Sequence, residues 1–293
     1  MEKYSRNTAL ALLIFFLSLA ALHYGSFSLE KIKGPLLEGS APAFPPETLA
    51  LFEQPYFYLS KGRQCFVFVS ADGKAVLKFF NYDRFRFPSS LAKLTPRLKA
   101  YAQKRSARFQ TTLTSLQIAN TLLKEETGLI ALHLHESKDL PTLTFFDSLD
   151  RCHTIDLNRV AFILQKRATS LIDVIEDRGA KEVIDSYCLF LKNRCEKKIS
   201  DDDRDVMRNF GFLGDRLINL DPGRLFFSQR LETREGLEKE VRIATKRLKK
   251  YLLKNHPELI PYLEFSLTEL VDSLNQSDAA SATSSRVPGS SNR

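Results

Sequence analysis

The chain has 293 residues, 43% of them apolar, with 22 Phe and no Trp, so its composition supports a substantial hydrophobic core. Setting aside an apolar N-terminal segment and a polar C-terminal tail leaves roughly 230 residues, enough for one large domain or two packed lobes. The net charge of +8 favours anionic partners such as nucleotides, nucleic acid or acidic lipid. None of the four cysteines forms a CxxC pair, which argues against a zinc ribbon or a thioredoxin-like centre. A disulfide scaffold is not indicated either, because Cys188 and Cys195 lie seven residues apart in a helical pattern, too far apart to bridge.

The first 27 residues carry the clearest local signal. Lys3 and Arg6 precede an apolar run of 15 residues from Thr8 to Leu22. That length lies between the core of a signal peptide and a membrane-spanning helix. We therefore expect residues 1–27 to anchor a single-pass membrane protein. The alternatives are a cleaved signal peptide, which would give a secreted protein, and a buried helix.

A linker and then a β-hairpin are predicted next. Residues 28–55 are rich in Gly and Pro, as in a linker between a membrane and a domain. Apolar and aromatic runs then occupy residues 65–69 and 75–80, and Asp72 and Gly73 stand between them. An Asp-Gly pair between two such runs is a strong signal for a hairpin.

A basic stretch follows the predicted hairpin. Between Arg84 and Arg108 there are eight Lys or Arg residues and no Asp or Glu. Such a stretch is typical of a solvated face. The alternative is a surface for phosphate groups or anionic lipid, which a membrane anchor on the same chain would favour.

The rest of the chain predicts segregated strands and helices. The predicted elements are a helix at 107–126 ended by Gly128, strands near 129–135, 142–148 and 159–165, helical residues at 170–198, a hairpin at 209–221 turning at Gly214-Asp215, and an amphipathic helix at 235–254. Residues 265–293 are predicted to be a disordered, Ser-rich tail, because little apolar surface is available there to bury. This order predicts an α+β fold with a sheet-rich first lobe and a helical second lobe.

Two places in the sequence suggest chemistry, and the first is a glycine followed by a lysine. Gly62 lies between two predicted strands, and Lys78 lies on the strand after them. The backbone N–H groups of a glycine turn can contact phosphates, and a lysine on the next strand can reach the same phosphates. The alternative for Lys78 is a surface residue whose aliphatic stem packs on apolar neighbours.

The second place is the hairpin predicted at residues 209–221. Asn209 and Asp221 lie on opposite sides of it, where they can share a divalent ion. Mg²⁺ needs oxygen ligands, and phosphate and water can fill its remaining positions. Because Asp-Pro-Gly at residues 221–223 is also an ordinary turn sequence, a turn without a metal is the alternative.

In order and spacing these motifs resemble the protein-kinase-like superfamily. The amino-acid sequence is also similar to that of a kinase-like family of chlamydial proteins. In the superfamily a Gly-rich loop and a strand lysine hold ATP, while a loop Asn and the Asp of an Asp-Phe-Gly motif hold Mg²⁺. The resemblance covers residues 56–264. It implies that Gly62 and Lys78 bind ATP and that Asn209 and Asp221 bind Mg²⁺.

The chain departs from that pattern around the catalytic base. Only one of the three loop glycines is present, and no His-Arg-Asp precedes Asn209. The catalytic Asp of the family would fall at Arg204, and a one-residue insertion would let Asp203 serve as the base. Asp201 and Asp205 lie close by, and an acidic run of this kind is also typical of a solvated turn.

The resemblance implies two further features. The strand at residues 162–165 would be the hinge that meets adenine. The glutamate that pairs with the strand lysine is not settled by the sequence, because Glu125 and Glu126 lie near the end of the predicted helix and Gln117 occupies a more central turn.

The leading interpretation is therefore a two-lobed protein-kinase-like fold, with a sheet-rich N-lobe and a helical C-lobe after an N-terminal apolar helix. It would bind ATP and Mg²⁺ and transfer a phosphoryl group to a hydroxyl acceptor. The alternatives are a catalytically inactive pseudokinase and a membrane-anchored interaction protein with a basic surface. The expected partners are a nucleotide, a phosphate acceptor of unknown identity and a membrane, reached through the N-terminal segment. Nucleic acid is not an expected partner.

Overall fold

The structure, a computed structural model, describes residues 27–284 of the chain. The predicted membrane segment, residues 1–27, therefore lies outside the described residues except for Phe27. Within the described part, no helix is both long enough and apolar enough to cross a bilayer.

Twelve strands and eleven helices are assigned in the described residues. The strands are β1 (Tyr56–Lys61), β2 (Cys65–Ser70), β3 (Ala75–Phe80), β4 (Leu129–His133), β5 (Thr142–Phe146), β6 (Cys152–Asp156), β7 (Phe162–Lys166), β8 (Thr169–Ser170), β9 (Ile199–Asp201), β10 (Phe210–Leu213), β11 (Arg216–Asn219) and β12 (Leu225–Phe227). The helices are α1 (Leu29–Ile32), α2 (Pro46–Leu49), α3 (Ser89–Ala92), α4 (Pro96–Leu122), α5 (Lys124–Thr127), α6 (Leu171–Arg178), α7 (Ala180–Glu196), α8 (Val206–Asn209), α9 (Arg234–Ala244), α10 (Lys246–Asn255) and α11 (Ile260–Ser284).

These elements form two compact units. The first unit comprises the described residues up to Gly73 together with Leu77–Arg84 and His133–Phe162. The second comprises Lys74–Val76, Phe85–Leu132 and the chain from Ile163 onward. Strands dominate the first unit and helices dominate the second, so the mixed α and β composition predicted from the sequence is confirmed. The domain boundaries at residues 56 and 264 stay a prediction.

The first unit is built on strands in the order β3-β2-β1-β5-β6. β1 pairs antiparallel with β2 and parallel with β5, and β6 adds an antiparallel strand that the sequence did not predict. Between β2 and β3 the N–H of Gly73 donates to the carbonyl of Ser70 at 2.9 Å, so the hairpin predicted at Asp72-Gly73 is confirmed. Phe66 and Phe68 alternate into the core, as the two-residue period of a strand requires.

Residues 28–55, for which a linker is predicted, contain α1 and α2 and bury several side chains. Ile32 and Phe52 are almost fully buried. Just before this segment, Phe27 is also buried, and its ring packs edge-on against three rings of the first unit at centroid distances of 5.1 to 5.5 Å. These rings belong to Phe66, Phe68 and Phe145. The segment between the predicted membrane span and β1 therefore contributes to the core of the first unit.

Helix α4 begins eleven residues before the helix that the sequence predicts at 107–126. The Thr95 hydroxyl caps it by accepting from the N–H of Leu98 at 3.2 Å, and Pro96 occupies the first turn, where no N–H is required. The first half of α4 has no apolar stripe because it is exposed, so hydrophobic periodicity does not detect it. As predicted, the helical segment stops at Gly128, which caps α5 with a φ of +63°.

The second unit has one apolar core formed mainly by its helices. The predicted helical residues 170–198 form α6 and α7, divided at Gly179, and the predicted helix 235–254 forms α9 and α10, divided at Thr245. α11 extends into the predicted tail and buries Leu270 and Leu274. The fully buried members of the core include Leu171, Val183, Ile184, Leu191, Cys195, Val206, Leu248, Leu252 and Leu263.

Candidate functional site

The hairpin β10–β11 positions the two predicted metal ligands. The strands pair antiparallel and turn at Gly214, which has a φ of +60°, so the second predicted hairpin is confirmed. At its open end the carbonyl of Asn209 accepts a hydrogen bond from the N–H of Leu220 at 2.6 Å. Asn209 and Asp221 therefore flank the same end of the hairpin, as the sequence predicts.

A chain of hydrogen bonds connects this end of the hairpin with the acidic run. The carboxylate of Asp201 accepts from the N–H of Asp203 at 2.7 Å and from the side-chain amide of Asn219 at 3.3 Å. The side-chain oxygen of Asn219 in turn accepts from the N–H of Asp221 at 2.9 Å. Asp201 and Asn219 are only 3% and 1% exposed. The backbone positions of Asp203 and Asp221 are thus fixed by buried side chains.

Asp201 titrates well above the usual range of an aspartate. Burial raises its pKa to about 6, although the positive charge of Arg194 and the hydrogen bond from Asp203 act in the opposite direction. Arg194 is itself buried and pairs with Glu240 at 2.5 Å, and Glu240 also accepts from the Ser200 hydroxyl at 2.7 Å. Asp201 therefore lies beside a buried ion pair, which is costly to disrupt by removing one partner.

Three side chains at the site remain uncommitted. Among the residues that the structure describes, the carboxylates of Asp203 and Asp221 and the side-chain amide of Asn209 have no hydrogen bond or ion pair. Asp221 is exposed, and Asp203 and Asn209 are half-buried. These groups are therefore available to a ligand.

The other acids of the run are paired. The carboxylate of Asp202 lies 3.9 Å from the guanidinium of Arg204, and that of Asp205 lies 3.9 Å from Arg208. These are weak contacts on exposed cations. The carboxylates of Asp202 and Asp205 are thus each close to a cation, whereas that of Asp203 has no ion pair among the described residues.

The Asp-Pro-Gly segment after the hairpin is held by helix α4. The hydroxyl of Ser115 donates to the carbonyl of Pro222 and accepts from the N–H of Leu225, both at 2.6 Å. Ser115 is completely buried. Its two hydrogen bonds close the loop that carries Asp221, so α4 helps to fix the position of that carboxylate.

The predicted hinge strand exists as β7 and connects to the same hairpin. Gln165 is buried, and its side-chain amide donates to the carbonyls of Thr127 at 2.5 Å and Asn219 at 3.2 Å. The role of this strand as the hinge that meets adenine stays a prediction.

Both candidate glutamates for the lysine pair are engaged with cations of the second unit. Glu125 accepts from Arg216 at 2.7 Å, and this hydrogen bond is the main reason that its pKa is lowered. Glu126 accepts from Lys197 at 2.8 Å. Gln117 is exposed. The assignment of this partner stays a prediction.

Gly62 and Lys78 belong to the first unit. The N–H of Gly62 donates to the carbonyl of Cys65 at 2.9 Å and so closes the tight turn between β1 and β2. A Cβ added at Gly62 would meet only that carbonyl, at an ordinary contact distance of 3.7 Å, so the turn does not require glycine. Lys78 is half-buried on β3 between buried neighbours.

Positive charge accumulates beside the Gly62 turn. The pKa of Lys61 is lowered by burial and then by the positive charges of Lys31 and Arg84, against a smaller opposite effect from Asp83. Its ammonium group also lies 5.1 Å from the centroid of the Phe66 ring. A cation with a lowered pKa in such surroundings favours the approach of an anion.

The candidate metal ligands are two oxygen donors, which suits Mg²⁺. Within residues 27–284, no three His, Cys, Asp or Glu side chains are grouped so that they could hold a metal ion. Asn209 and Asp221 offer one amide and one carboxylate oxygen, both free of other partners. Since Mg²⁺ commonly keeps waters and substrate phosphates in its coordination shell, two protein ligands fit that pattern.

Sequence reasoning missed Asn219, Ser115 and Lys31. Asn219 had a local signal, because an Asn two residues before a turn often hydrogen-bonds to the backbone there. Ser115 had none, since its two partners lie more than 100 residues away in sequence. Lys31 fell in the predicted linker, where no contacts with a charged neighbour were expected.

Among the comparisons with known proteins, the matches come from solved structures. No protein-family model matches the chain, and no curated protein sequence matches it. A solved structure of WbdD is 13% identical, covers 76% of this chain and 45% of that chain, and has a TM-score of 0.39. A second, described as the bifunctional kinase-methyltransferase WbdD, is 12% identical, covers 74% and 43%, and has a TM-score of 0.37. The chain thus spans less than half the length of these proteins.

Proposed function

We propose that this chain is a kinase-like protein that binds ATP with Mg²⁺ and transfers the γ-phosphoryl group to a hydroxyl acceptor. The observation that supports this is the arrangement at the open end of hairpin β10–β11. Asp201 and Asn219 are buried and hydrogen-bonded, whereas Asp203, Asn209 and Asp221 keep uncommitted side chains. Free ligand groups supported by rigid buried partners are what a preorganised site requires.

In this proposal Asn209 and Asp221 hold the metal ion. A bound Mg²⁺ would neutralise charge on the phosphates during transfer. The carboxylate of Asp221 would supply a charged oxygen and the amide of Asn209 a neutral one. Ser115 and Asn219 act indirectly, because each fixes the backbone next to Asp221.

Asp203 would serve as the base. Its backbone is fixed by Asp201, and its carboxylate has no partner in the described part of the chain. The acceptor oxygen would form the new bond to phosphorus, the bond from phosphorus to ADP would break, and Asp203 would take the hydroxyl proton. Asp202 and Asp205 each lie near an arginine, so their carboxylates already have a cation beside them.

In the first unit, Lys78 would orient the phosphates, and the turn at Gly62 would lie against them. The positive charges of Lys31, Lys61 and Arg84 near this turn support an anionic ligand there. The same turn also favours a second candidate function. Because the N–H of Gly62 already donates to Cys65, it is not available to a phosphate, and a pseudokinase that binds nucleotide weakly and does not transfer phosphate is the alternative.

A thermal-shift experiment tests nucleotide binding. The full chain should be stabilised by Mg²⁺-ATP, by about 2.7 kcal/mol when the ligand is at one hundred times its dissociation constant. ATP without Mg²⁺ should stabilise it less. Asp221→Asn should lose the difference between the two conditions, because the amide lacks the charge that neutralises the ion.

Asp215→Asn is the matched control, since its side chain is fully exposed at the turn of the same hairpin. It should keep the full response to Mg²⁺. A folded parent protein that shows no stabilisation by Mg²⁺-ATP would overturn the proposal. Stabilisation without phosphate transfer would leave the pseudokinase.

A further inference from the structure

The basic stretch forms a defined arm in the second unit. It consists of α3 and the first half of α4, and the residues before α4 pack onto that helix. The ring of Phe85 lies 4.7 Å from that of Phe109, and Phe87 meets Tyr101 edge-on at 5.4 Å. These ring contacts hold the arm in place, so it presents a defined surface to a binding partner.

One face of the arm carries a continuous row of cations. Arg97, Tyr101, Lys104 and Arg108 follow one another at three- and four-residue steps, so they lie on one side of α4, and Arg105 borders that side next to Lys104. We call these five residues the cationic stripe. They extend over about 16 Å of helix, at roughly 1.5 Å per residue.

Five cations of the arm have no acidic partner among the described residues. Among the described residues, Lys93, Arg97, Lys99, Lys104 and Arg108 make no ion pair, and Arg105 lies over the ring of Tyr101 at 5.6 Å. Elsewhere in the second unit, cations such as Lys197 and Arg216 pair with glutamates at 2.8 and 2.7 Å. Three cations of the stripe, Arg97, Lys104 and Arg108, therefore keep an uncompensated positive charge.

The charge pattern also works against the helix that carries it. The first turn of α4 holds Arg97 and no acidic residue, although the helix dipole favours acids at that end. Residues that oppose local stability are expected where a surface serves a function.

Large apolar side chains stand beside the cations. Leu91, Leu94 and Tyr101 are 43%, 67% and 51% exposed. Cations together with exposed leucine and tyrosine are typical of surfaces that lie in the headgroup region of a bilayer. A surface for nucleic acid would use the cations but gains nothing from exposed leucines.

We propose that this arm docks onto an anionic lipid bilayer. The cationic stripe contacts the lipid phosphates, and Leu91 and Leu94 enter the headgroup region. The occupant is a bilayer because the charge is complementary to acidic lipid, the leucines are exposed next to it, and the apolar run from Thr8 to Leu22 is expected to place the chain at a membrane. This inference does not depend on the proposed nucleotide site.

A single tryptophan can report on the arm, because the natural chain contains none. We would reconstitute full-length Leu94→Trp into phosphatidylcholine vesicles and into vesicles with roughly one-third phosphatidylserine. The N-terminal segment would hold the protein in both. We expect the emission to shift to the blue only with phosphatidylserine, and to return in high salt because the attraction is screened. Phe265→Trp, at another exposed position, should not respond.

Charge reversal tests the stripe. Arg97→Glu, Lys104→Glu and Arg108→Glu, combined with Leu94→Trp, should abolish the shift, and about tenfold more acidic lipid or more should be needed to recover it. The control changes the same number of charges on α10, through Lys246→Glu, Arg247→Glu and Lys250→Glu, and should keep the shift. Far-UV circular dichroism would confirm that both variants are folded.

Several results would overturn the proposal. One is a Leu94→Trp emission that does not respond to phosphatidylserine. Another is an equal loss in the α10 control, which would show that net charge alone causes the binding. A shift with single-stranded RNA and none with vesicles would instead identify a nucleic-acid surface.

Discussion

The side-chain amide of Asn219 donates a hydrogen bond to the buried carboxylate of Asp201, with Nδ2 and Oδ2 3.3 Å apart. The oxygen of the same amide accepts from the N–H of Asp221 at 2.9 Å, and the backbone carbonyl of Asn219 accepts from Gln165 at 3.2 Å. Asn219 thus connects the acidic run, the Asp-Pro-Gly segment and the predicted hinge strand. Whatever ligand this site takes, its geometry depends on a residue that need not touch the ligand.

Asn219→Ala should destabilise the protein substantially. It removes two hydrogen bonds and leaves the carboxylate of Asp201 with one partner fewer in a buried position, so we expect a loss of about 2–4 kcal/mol in unfolding free energy. Urea denaturation measures it. Asn255→Ala is the control, because Asn255 is exposed and makes one hydrogen bond to Tyr251, and a loss below about 0.5 kcal/mol is expected. Equal effects of the two variants would contradict the role of Asn219.

The pKa of Asp201 predicts a pH dependence of stability. Burial raises that pKa from 3.8 to about 6, so between these values the folded state holds a proton that the unfolded state has lost. The contribution of Asp201 to stability therefore falls as the pH rises through this window, by on the order of 3 kcal/mol. To isolate the contribution of the Asp201 carboxyl, we would compare the unfolding free energies of the parent and Asp201→Asn at pH 4 and pH 7, without Mg²⁺.

Relative to Asp201→Asn, the parent should lose stability between the two pH values. Asp215→Asn is again the control: because its side chain is fully exposed, it shows how much of any change follows from removing one charge at the surface. A constant difference for Asp201→Asn would show that the carboxyl titrates near its usual pKa.

Local sequence signals predicted part of the fold. They did not predict elements that are exposed or that depend on contacts between residues far apart in sequence. Both hairpins were predicted because Asp72-Gly73 and Gly214-Asp215 are turn sequences between apolar runs. The first half of α4 was missed because most of its side chains are exposed, so no apolar period marks it. Four leucines near the predicted tail also recur at helical steps and pack on the core: Leu263, Leu267, Leu270 and Leu274.

The sequence predicted which residue types form the candidate site and the order in which they follow one another along the chain. Asn209 and Asp221 flank one hairpin, and a hairpin brings its ends together wherever it occurs. The distinction between Asp201 and Asp203 was not predictable, because it depends on which of two neighbouring carboxylates is buried beside Arg194. That burial follows from the packing of α7, β9 and α9, which the acidic run itself does not encode.

Phe27 should contribute to the stability of the first unit. It is 3% exposed and packs edge-on against three core rings, so Phe27→Ala in the full chain should cost about 3 kcal/mol. Phe57→Ala is the control, because Phe57 is 41% exposed and stacks on a single ring, that of Phe146. Chemical denaturation of both variants measures the difference. A loss at Phe27 no larger than that at Phe57 would show that the core does not depend on it.

Deleting residues 1–26 should release the protein from membranes in high salt. No helix of the described residues has the length and hydropathy of a membrane span, and the deletion keeps Phe27 in the core. High salt screens the attraction of the cationic stripe for acidic lipid, so the membrane fraction of a cell lysate should then lack the protein. Retention in high salt would place a membrane contact elsewhere in the chain.

Asp203→Asn should separate catalysis from nucleotide binding. As a base, Asp203 would take the proton of the acceptor hydroxyl, and general-base assistance is typically worth about 10² to 10⁴ in rate. Phosphate transfer should fall by that margin, whereas stabilisation by Mg²⁺-ATP should stay within about 0.5 kcal/mol of the parent, because the carboxylate does not hold the metal. The two measurements are thermal shift and incorporation of labelled γ-phosphate into the protein itself or a candidate substrate.

Asp202→Asn is the matched control, since Asp202 is exposed next to Asp203 and lies 3.9 Å from Arg204, and both measurements should stay at the parent level. Transfer that survives Asp203→Asn would move the base to Asp205 or Asp201, which the same assays would then distinguish.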